Sequence, residues 1–233
     1  MKTGISFDAE AVFAEEFALA TAKEQAKSGY LDIESWFWSG RQKPETAIEW
    51  WQANGGGLVQ NFIDWYESHE DVSVWITPDG KPAIELELTV KFGEIPVKMA
   101  IDQVLLMGSA LVVVDLKTSA KAPENPRQLG IYACGIEKQY GIRPKYGAYF
   151  LPRDPMRYFQ RPVCLDEPQY GIEYLTKEFA MMEKGRSEGI FVANPGRACG
   201  RCGVAHACLA NGGAQARKLD PAHPAHGRSA LAP

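Results

Sequence analysis

Two carboxylates and one ammonium group come together around the segment "QVLLMGSALVVVDLKTS" and the residues just before it. The second apolar run of this segment ends in Asp115 and Lys117. If the Gly-Ser pair in the middle forms a two-residue hairpin loop, Met107 pairs with Ala110 and Asp102 faces Asp115. Facing residues of an antiparallel pair lie about 4.5–5.5 Å apart. Lys117 shares the face of Asp115, because side chains alternate along a strand with a period of two.

Two like charges at the end of an apolar hairpin are costly to bury, so a compensating interaction is expected. One interpretation is a salt-bridge cluster of Asp102, Asp115 and Lys117 at a sheet edge. The other is a divalent-metal site, in which the two carboxylates supply hard oxygen ligands to Mg²⁺ or Mn²⁺. Lys117 would then orient a water or offset charge on a phosphate. Geometry alone leaves both interpretations open.

Three upstream side chains are weaker candidates for the same site. Glu85 and Glu87 alternate with apolar residues, beginning with Ile84 and Leu86, and this alternation predicts a solvated strand face opposite a buried one. His69 lies in "ESHED", a pattern typical of a solvated helix end.

A second chemical cluster lies near the end of the chain, in "CGRCGVAHAC". Cys199, Cys202 and Cys208 have the spacing C-x2-C-x5-C, and thiolates so placed can hold one metal centre. Zinc bound by these three thiolates and His206 would have a legitimate ligand count.

The remaining cysteines stand alone. Cys134 belongs to a predicted helix and Cys164 to a predicted strand, and both are expected to be buried as small apolar residues.

Composition limits the class of protein. The 233 residues are 45% hydrophobic and 23% charged, which suits one compact globular domain with peripheral additions rather than a disordered or fibrous chain. We find neither an apolar run near the roughly 20 residues of a membrane helix nor a signal peptide, so a soluble, cytoplasmic protein without a membrane partner is expected.

Charge is distributed unevenly along the chain. The first 90 residues carry 16 acidic and 6 basic residues, whereas the rest carry 13 acidic and 19 basic, so the net charge of −4 hides a basic half. Within residues 138–161, basic and aromatic side chains are interleaved, a combination that suits a nucleic-acid backbone and unstacked bases. Arg153 and Arg157 are therefore predicted to contact DNA. The alternative is a strand pair with a solvated face.

Periodicity and capping signals predict the elements that position these groups. Helices are predicted from Asp8 to about Gly29, from Pro44 to about 68 with an interruption at the glycines of 55–57, through "RQLGIYACGIEKQYG", and from about Glu167 to Gly185. Strands are predicted in "VSVWI", "AIELELTV", "IPVKMAIDQVLLM", "ALVVVDLKT" and "KYGAYFL", and near 157–164. The first four of these form a mostly antiparallel sheet, and the class is α/β.

Three motifs occur in an order that resembles the RecB-like branch of the PD-(D/E)XK nucleases. They are "AID" (100–102), "VVVDLKTS" (112–119) and "QLGIY" (128–132), the last containing a Gln-x-x-x-Tyr signature. Together with the cysteine cluster, they most resemble the CRISPR-associated (Cas) family-four exonucleases and their bacteriophage homologues. The resemblance covers about residues 80–208.

This resemblance implies a restriction-endonuclease-like core with a mixed central sheet flanked by helices. It implies metal and catalytic roles for Asp102, Asp115 and Lys117, and it places Gln128 and Tyr132 in the active-site cleft, in contact with DNA. It also favours an iron–sulfur cluster, of the 4Fe–4S type, over zinc or the absence of a metal for the three C-terminal thiolates.

Two features depart from the family pattern. Met99 stands where the motif before Asp102 usually has Gly, which calls close backbone packing into question. The family also carries an upstream His that completes the metal site and an upstream Cys that completes the cluster, and neither is found before Asp102 in the expected setting. One missing segment would explain both, so we expect the chain to be an N-terminally shortened form of a longer protein.

The predicted organisation is a helical region (1–70), a nuclease core (71–192), a cysteine metal-cluster segment (193–211) and a disordered tail (212–233). The predicted function is a metal-dependent DNA exonuclease that acts on single-stranded ends. Its setting would be phage or host recombination and repair, or CRISPR spacer processing, with recombination or CRISPR-adaptation proteins as partners. The alternatives are a catalytically impaired DNA-binding or assembly module that keeps the fold, and a structural zinc protein.

Overall fold

The computed structural model describes residues 8–29, 32, 44–119, 121–154 and 156–189. The described residues divide into two compact units. One contains residues 57–189 together with 8–10, and the other contains the described residues between 11 and 56. The predicted cysteine cluster lies outside the described residues.

The helices and strands follow the predicted order along the chain. The helices are α1 (Ala9–Ser28), α2 (Pro44–Ser68), α3 (Arg127–Tyr140) and α4 (Ile172–Ser187), the last preceded by a 3₁₀ turn at Pro168–Tyr170. The strands are β1 (Val72–Val74), β2 (Ile84–Phe92), β3 (Ile95–Met107), β4 (Ala110–Leu116), β5 (Tyr146–Phe150) and β6 (Val163–Cys164). None of the helices in the described ranges is long and apolar enough to span a bilayer.

One six-stranded mixed sheet organises the larger unit, and the predicted α/β class is confirmed. Its order is β1-β3-β4-β5-β6, and β2 pairs with β3. The strand pairs are antiparallel except for β4 and β5, which are parallel. A parallel pair requires a crossover connection, and α3 lies within the connection between these two strands.

The β3–β4 hairpin has the predicted register. Met107 pairs with Ala110, and the ladder continues to Gln103 opposite Val114. Asp102 and Asp115 are the next residues in this register, so the turn fixes their proximity.

Apolar side chains cover both faces of the sheet in the larger unit. On one face, residues of β2, β3 and β4 pack with α3 and with Leu175 of α4. On the other face, Leu105, Val112 and Phe150 pack with Phe62 and Trp65 of α2. The alternating valines of β4 therefore serve two cores, and the strand is buried on both sides.

Helix α2 does not stop at its glycines, so the predicted interruption at 55–57 was wrong. The helix runs without a break from Pro44 to Ser68. A Cβ atom on Gly55 would lie 1.9 Å from the Phe13 ring. Glycine weakens a helix by about 1 kcal/mol relative to alanine, but here it admits an aromatic ring, and packing outweighs propensity.

Two further predictions of burial were wrong, although Cys134 is fully buried as predicted. Cys164 is exposed, because β6 is a two-residue edge strand and the neighbouring Leu165 fills the core position. Ile84 is 48% exposed, because Glu85 next to it adopts a left-handed backbone with φ 48° and interrupts the regular strand.

Candidate active site

The carboxylate of Asp115 is buried at the end of β4. Its side chain is only 1% exposed. Val113, two residues earlier, packs in the core on the α3 face, so the strand period places Asp115 on that face as well. Burial raises the pKa of Asp115 above its ordinary value, the ammonium of Lys117 opposes this shift, and the negative charge of Asp102 adds to it.

Asp102 lies on β3 beside the end of β4, where it is half-buried. Its Oδ2 accepts a hydrogen bond of 2.6 Å from the backbone N–H of Leu116. Ile101 and Val104 both belong to the core on the α3 face although they are three residues apart, so the alternation of side chains breaks between them. Such irregularities re-aim side chains near functional sites, and this one lies at Asp102.

A chain of polar contacts connects Asp115 to α3. Lys117 Nζ lies 2.7 Å from Asp115 Oδ2, but the contact lacks the angles of a hydrogen bond. The same ammonium donates to Gln128 Oε1 at 3.1 Å, and Gln128 Nε2 donates to the hydroxyl of Tyr132 at 2.7 Å. The structure thus brings together all five residues that the sequence assigns to the catalytic site.

Helix α3 contributes two of these residues, and its geometry fixes their relative position. Gln128 and Tyr132 are four residues apart and so lie on one helical face. Burial raises the pKa of Tyr132, the hydrogen bond from Gln128 opposes the rise, and the charges of Asp115 and Asp102 add to it. The Tyr132 hydroxyl therefore stays protonated near neutral pH and remains a hydrogen-bond donor.

The sequence did not identify Tyr149 as a residue of this site. Tyr149 is the parallel-register neighbour of Asp115 on β5. Burial, followed by the negative charge of Asp115, raises its pKa to about 12. Its place next to Asp115 could have been predicted only from the parallel register of β4 and β5, which lies across a helix and leaves no local sequence signal.

The donor set fits a divalent cation. Oδ2 of Asp115 is buried and is contacted by the Lys117 ammonium at 2.7 Å, without a hydrogen bond of standard geometry among the described residues, so it keeps lone pairs that a further cation can use. Asp102 supplies a second carboxylate beside it. Mg²⁺ is commonly held by one or two carboxylates, with waters and substrate phosphate completing its shell. Within the described ranges, no group of three or more His, Cys, Asp or Glu residues has metal-binding geometry.

Two of the weaker ligand candidates, Glu87 and His69, lie elsewhere, whereas the exposed Glu85 lies between Ile84 and Leu86, whose partners on β3 flank Asp102. Glu87 is exposed and pairs with Lys98 at 3.1 Å. His69 follows the end of α2, and its Nδ1 lies 2.7 Å from the carbonyl oxygen of Trp65. The strand after His69 pairs with the far end of β3, at Met107, which is roughly 17 Å along the strand from Asp102 at 3.3 Å per residue.

The two arginines predicted to bind DNA lie on the loop after β5. Lys117 donates its backbone N–H to the carbonyl of Phe150, so β5 ends at the same end of the sheet as Asp115 and Lys117. Arg153 and Arg157 are exposed on the loop that leaves this end. Asp154 braces the loop by accepting backbone N–H bonds from Met156 and Arg157 at 3.1 and 3.2 Å. This loop and the Asp115 carboxylate therefore lie at the same end of the sheet, where β4 and β5 finish.

Comparison with known proteins identifies the family. The sequence profile described as "PD-(D/E)XK nuclease superfamily" matches residues 11–209. The "Gene 69 protein" of Mycobacterium phage D29 is 32% identical over 180 residues, and the match covers 76% of this chain and 66% of that protein, just under two thirds of its length. The solved structure called "Crystal structure of SSO0001" covers 72% of this chain and 76% of its own at 17% identity and a TM-score of 0.37, a likeness too low to carry an argument. On the profile match, this chain belongs to the PD-(D/E)XK nuclease superfamily.

Proposed function

We propose that this protein is a divalent-metal-dependent DNA exonuclease that acts on single-stranded ends. The observation that carries the proposal is the Asp115 carboxylate, which is 1% exposed and lies beside both the Lys117 ammonium, at 2.7 Å, and the charge of Asp102. A buried ion pair is weak support for stability, whereas a preorganised carboxylate beside a lysine suits phosphodiester hydrolysis. Superfamily membership supports the nuclease activity.

Each residue of the cluster has a distinct role in the proposal. Asp102 and Asp115 would hold Mg²⁺ or Mn²⁺, which supplies Lewis-acid polarisation of a phosphoryl oxygen when bound. Lys117 carries a positive charge next to the position of the phosphate and offsets the charge that develops on it. Gln128 fixes the Lys117 ammonium through its Oε1 and is itself oriented by Tyr132.

Binding of a single strand is proposed from the loop after β5. Arg153 and Arg157 supply positive charge at the same end of the sheet as Asp115, and nearby aromatic residues can stack on unpaired bases. The resemblance to RecB-like and Cas family-four exonucleases, together with the phage relative, supports a role in recombination, repair or spacer processing.

The C-terminal cysteines are proposed to bind an iron–sulfur cluster. Cys199, Cys202 and Cys208 supply three thiolates at a suitable spacing, and zinc with His206 is the competing ligand set. The proposal rests on the sequence and on the family resemblance. Anaerobically purified protein should be brown and contain iron, and zinc without iron would contradict the proposal.

A second candidate function is a DNA-binding or assembly module with impaired catalysis. Its specific support is that no group of three or more His, Cys, Asp or Glu residues that could hold a metal ion lies within the described ranges. Under this alternative, DNA binding survives but cleavage is not detected with any divalent metal.

Linear and circular single-stranded DNA distinguish these functions. The exonuclease should degrade an end-labelled linear strand in Mg²⁺ or Mn²⁺, leave a closed circle intact and stop when a chelator is added. Cleavage of the circle would indicate an endonuclease. Binding without any cleavage in either metal would favour the impaired module.

A further inference from the structure

We propose that a cleft between β3, α3 and α4 binds one unstacked base of the DNA strand, next to the phosphate that is cleaved. The proposal rests on the proposed nuclease function and adds a nucleobase subsite to it. The cleft has a volume of about 490 Å³, within the range of small-molecule pockets.

The cleft shares a wall with the catalytic cluster. Gln128 and Tyr132 line it, and the same two side chains connect to Lys117 through consecutive hydrogen bonds. A strand whose phosphate lies at Lys117 therefore has its neighbouring base close to this wall.

The rest of the lining is suited to a flat apolar group. Val97 and Met99 of β3, Ile131 of α3 and Phe179 of α4 line the cleft. The Phe179 ring is anchored by a tilted contact with Phe92, with 5.1 Å between the ring centroids. A fixed aromatic ring can stack against any base, because every base presents a π-face.

Charge at the cleft favours a base over a phosphate. The two cations of the lining are Lys98 and Arg127. Lys98 is paired with Glu87, and Arg127 is paired with Glu178. Because a carboxylate lies beside each of these cations, the lining offers little net positive charge to a phosphate, and an uncharged base suits it better.

The two side chains of the shared wall, Gln128 and Tyr132, each keep one hydrogen-bond donor unused by the described residues. Gln128 uses one N–H of its amide on Tyr132, which leaves a second N–H. The Tyr132 hydroxyl accepts that bond and retains its own proton, for which the described residues record no acceptor. These two donors can reach acceptor atoms on the edge of a base.

An abasic scan tests the subsite without requiring cleavage. Short single-stranded oligonucleotides, each with one base removed at a successive position, are bound to the full chain in chelator, and Kd is measured by fluorescence anisotropy. Removal of one particular base should weaken binding about tenfold, the effect of one stacked base. Equal affinity at every position would overturn the proposal.

Two substitutions on α4 assign the effect to the cleft. Phe179→Leu keeps apolar volume but removes the π-face, and it should abolish the discrimination against the abasic strand. Tyr174→Leu changes an aromatic residue that is 51% exposed outside the cleft lining, and it should preserve the discrimination. If Phe179→Leu folds poorly in a circular-dichroism melt, Ile131→Trp takes its place. The tryptophan fills the cleft, and it should also abolish the discrimination against the abasic strand.

The outcomes also separate the subsite from the nuclease function. Base discrimination without metal-dependent cleavage would contradict the exonuclease proposal and support the subsite. Cleavage without discrimination, or discrimination that survives both cleft variants, would refute the subsite and leave the exonuclease standing.

Discussion

The ammonium of Lys117 lies 2.7 Å from Oδ2 of Asp115, yet this buried oxygen receives no hydrogen bond of standard geometry from the described part of the chain. The side chain of Lys117 is only 28% exposed, and that of Asp115 is 2% exposed. Desolvation of two charges commonly offsets their attraction. The pair therefore adds little to the stability of the fold, and its proposed role is in phosphodiester hydrolysis.

We expect Asp115→Asn to stabilise the metal-free protein at neutral pH. The folded pKa of Asp115 lies above its ordinary value of 3.8, so ionisation is harder in the folded state than in the unfolded chain. Its neutral form favours folding at low pH, and this contribution is lost as pH rises above 3.8 through the folded pKa. The variant should be more stable than the wild type at pH 7, and the two proteins should converge at low pH in urea unfolding. A variant equally destabilised at every pH would contradict this expectation.

Bound metal should reverse the order of stability of Asp115→Asn and the wild-type protein. A cation that binds the folded state stabilises it by mass action, and the Asp115 carboxylate is its proposed ligand. Millimolar Mn²⁺ should therefore raise the Tm of the wild-type protein and leave that of Asp115→Asn nearly unchanged. Glu94→Gln, at an exposed carboxylate paired with Lys91, is the control and should respond like the wild type. Equal shifts in all three proteins would place the metal elsewhere.

The sequence predicted most of this site because its signals are local. A two-residue turn sets the β3–β4 register, and helical spacing places Gln128 and Tyr132 on one face. The position of Tyr149 beside Asp115 depends on a parallel pairing across α3, and the break in alternation at Asp102 lies inside a continuous strand. Neither has a short-range signal. The glycine run in α2 misled the prediction, because its effect depends on a ring of another helix, that of Phe13.

Met99 and Gly135 should be energetically coupled. A Cβ atom on Gly135 would lie 2.2 Å from Sδ of Met99, which is 5% exposed. This contact explains how a methionine is accommodated where the family motif has glycine: the space is provided by a glycine on α3. Gly135→Ala should cost about 1–3 kcal/mol, and Met99→Ala should relieve that cost in the double variant. Additive unfolding free energies across the cycle would show that the two positions are independent.

Glu85→Gly should stabilise the protein. Glu85 holds φ at 48°, and left-handed backbone costs a non-glycine residue about 1 kcal/mol or more. Glycine removes this cost, so the free energy of unfolding should rise, although glycine's greater entropy in the unfolded chain reduces the gain. Glu87→Gly, in the regular part of β2, is the matched control and should destabilise. Loss of stability in both variants would indicate that the Glu85 side chain matters more than its backbone.

The double variant Arg153→Ala/Arg157→Ala should weaken DNA binding across sequences. Each phosphate contact to a single strand contributes about −0.7 to the slope of log K against log salt. Loss of both should flatten that slope by roughly 1.4. The double variant Lys91→Ala/Lys177→Ala removes two exposed cations from other elements and should leave the slope unchanged. An unaltered slope in the arginine variant would assign the loop to the solvated surface.

Single-turnover cleavage of end-labelled single-stranded DNA in Mn²⁺ decides whether the Asp115–Lys117 pair is a catalytic centre. Asp115→Asn and Lys117→Met should each lower the rate by on the order of a hundredfold or more, while both proteins unfold cooperatively and retain DNA affinity. Lys91→Ala, at an exposed lysine, should cleave like the wild type. Wild-type cleavage by a folded Asp115→Asn protein would contradict the assignment of this carboxylate to catalysis.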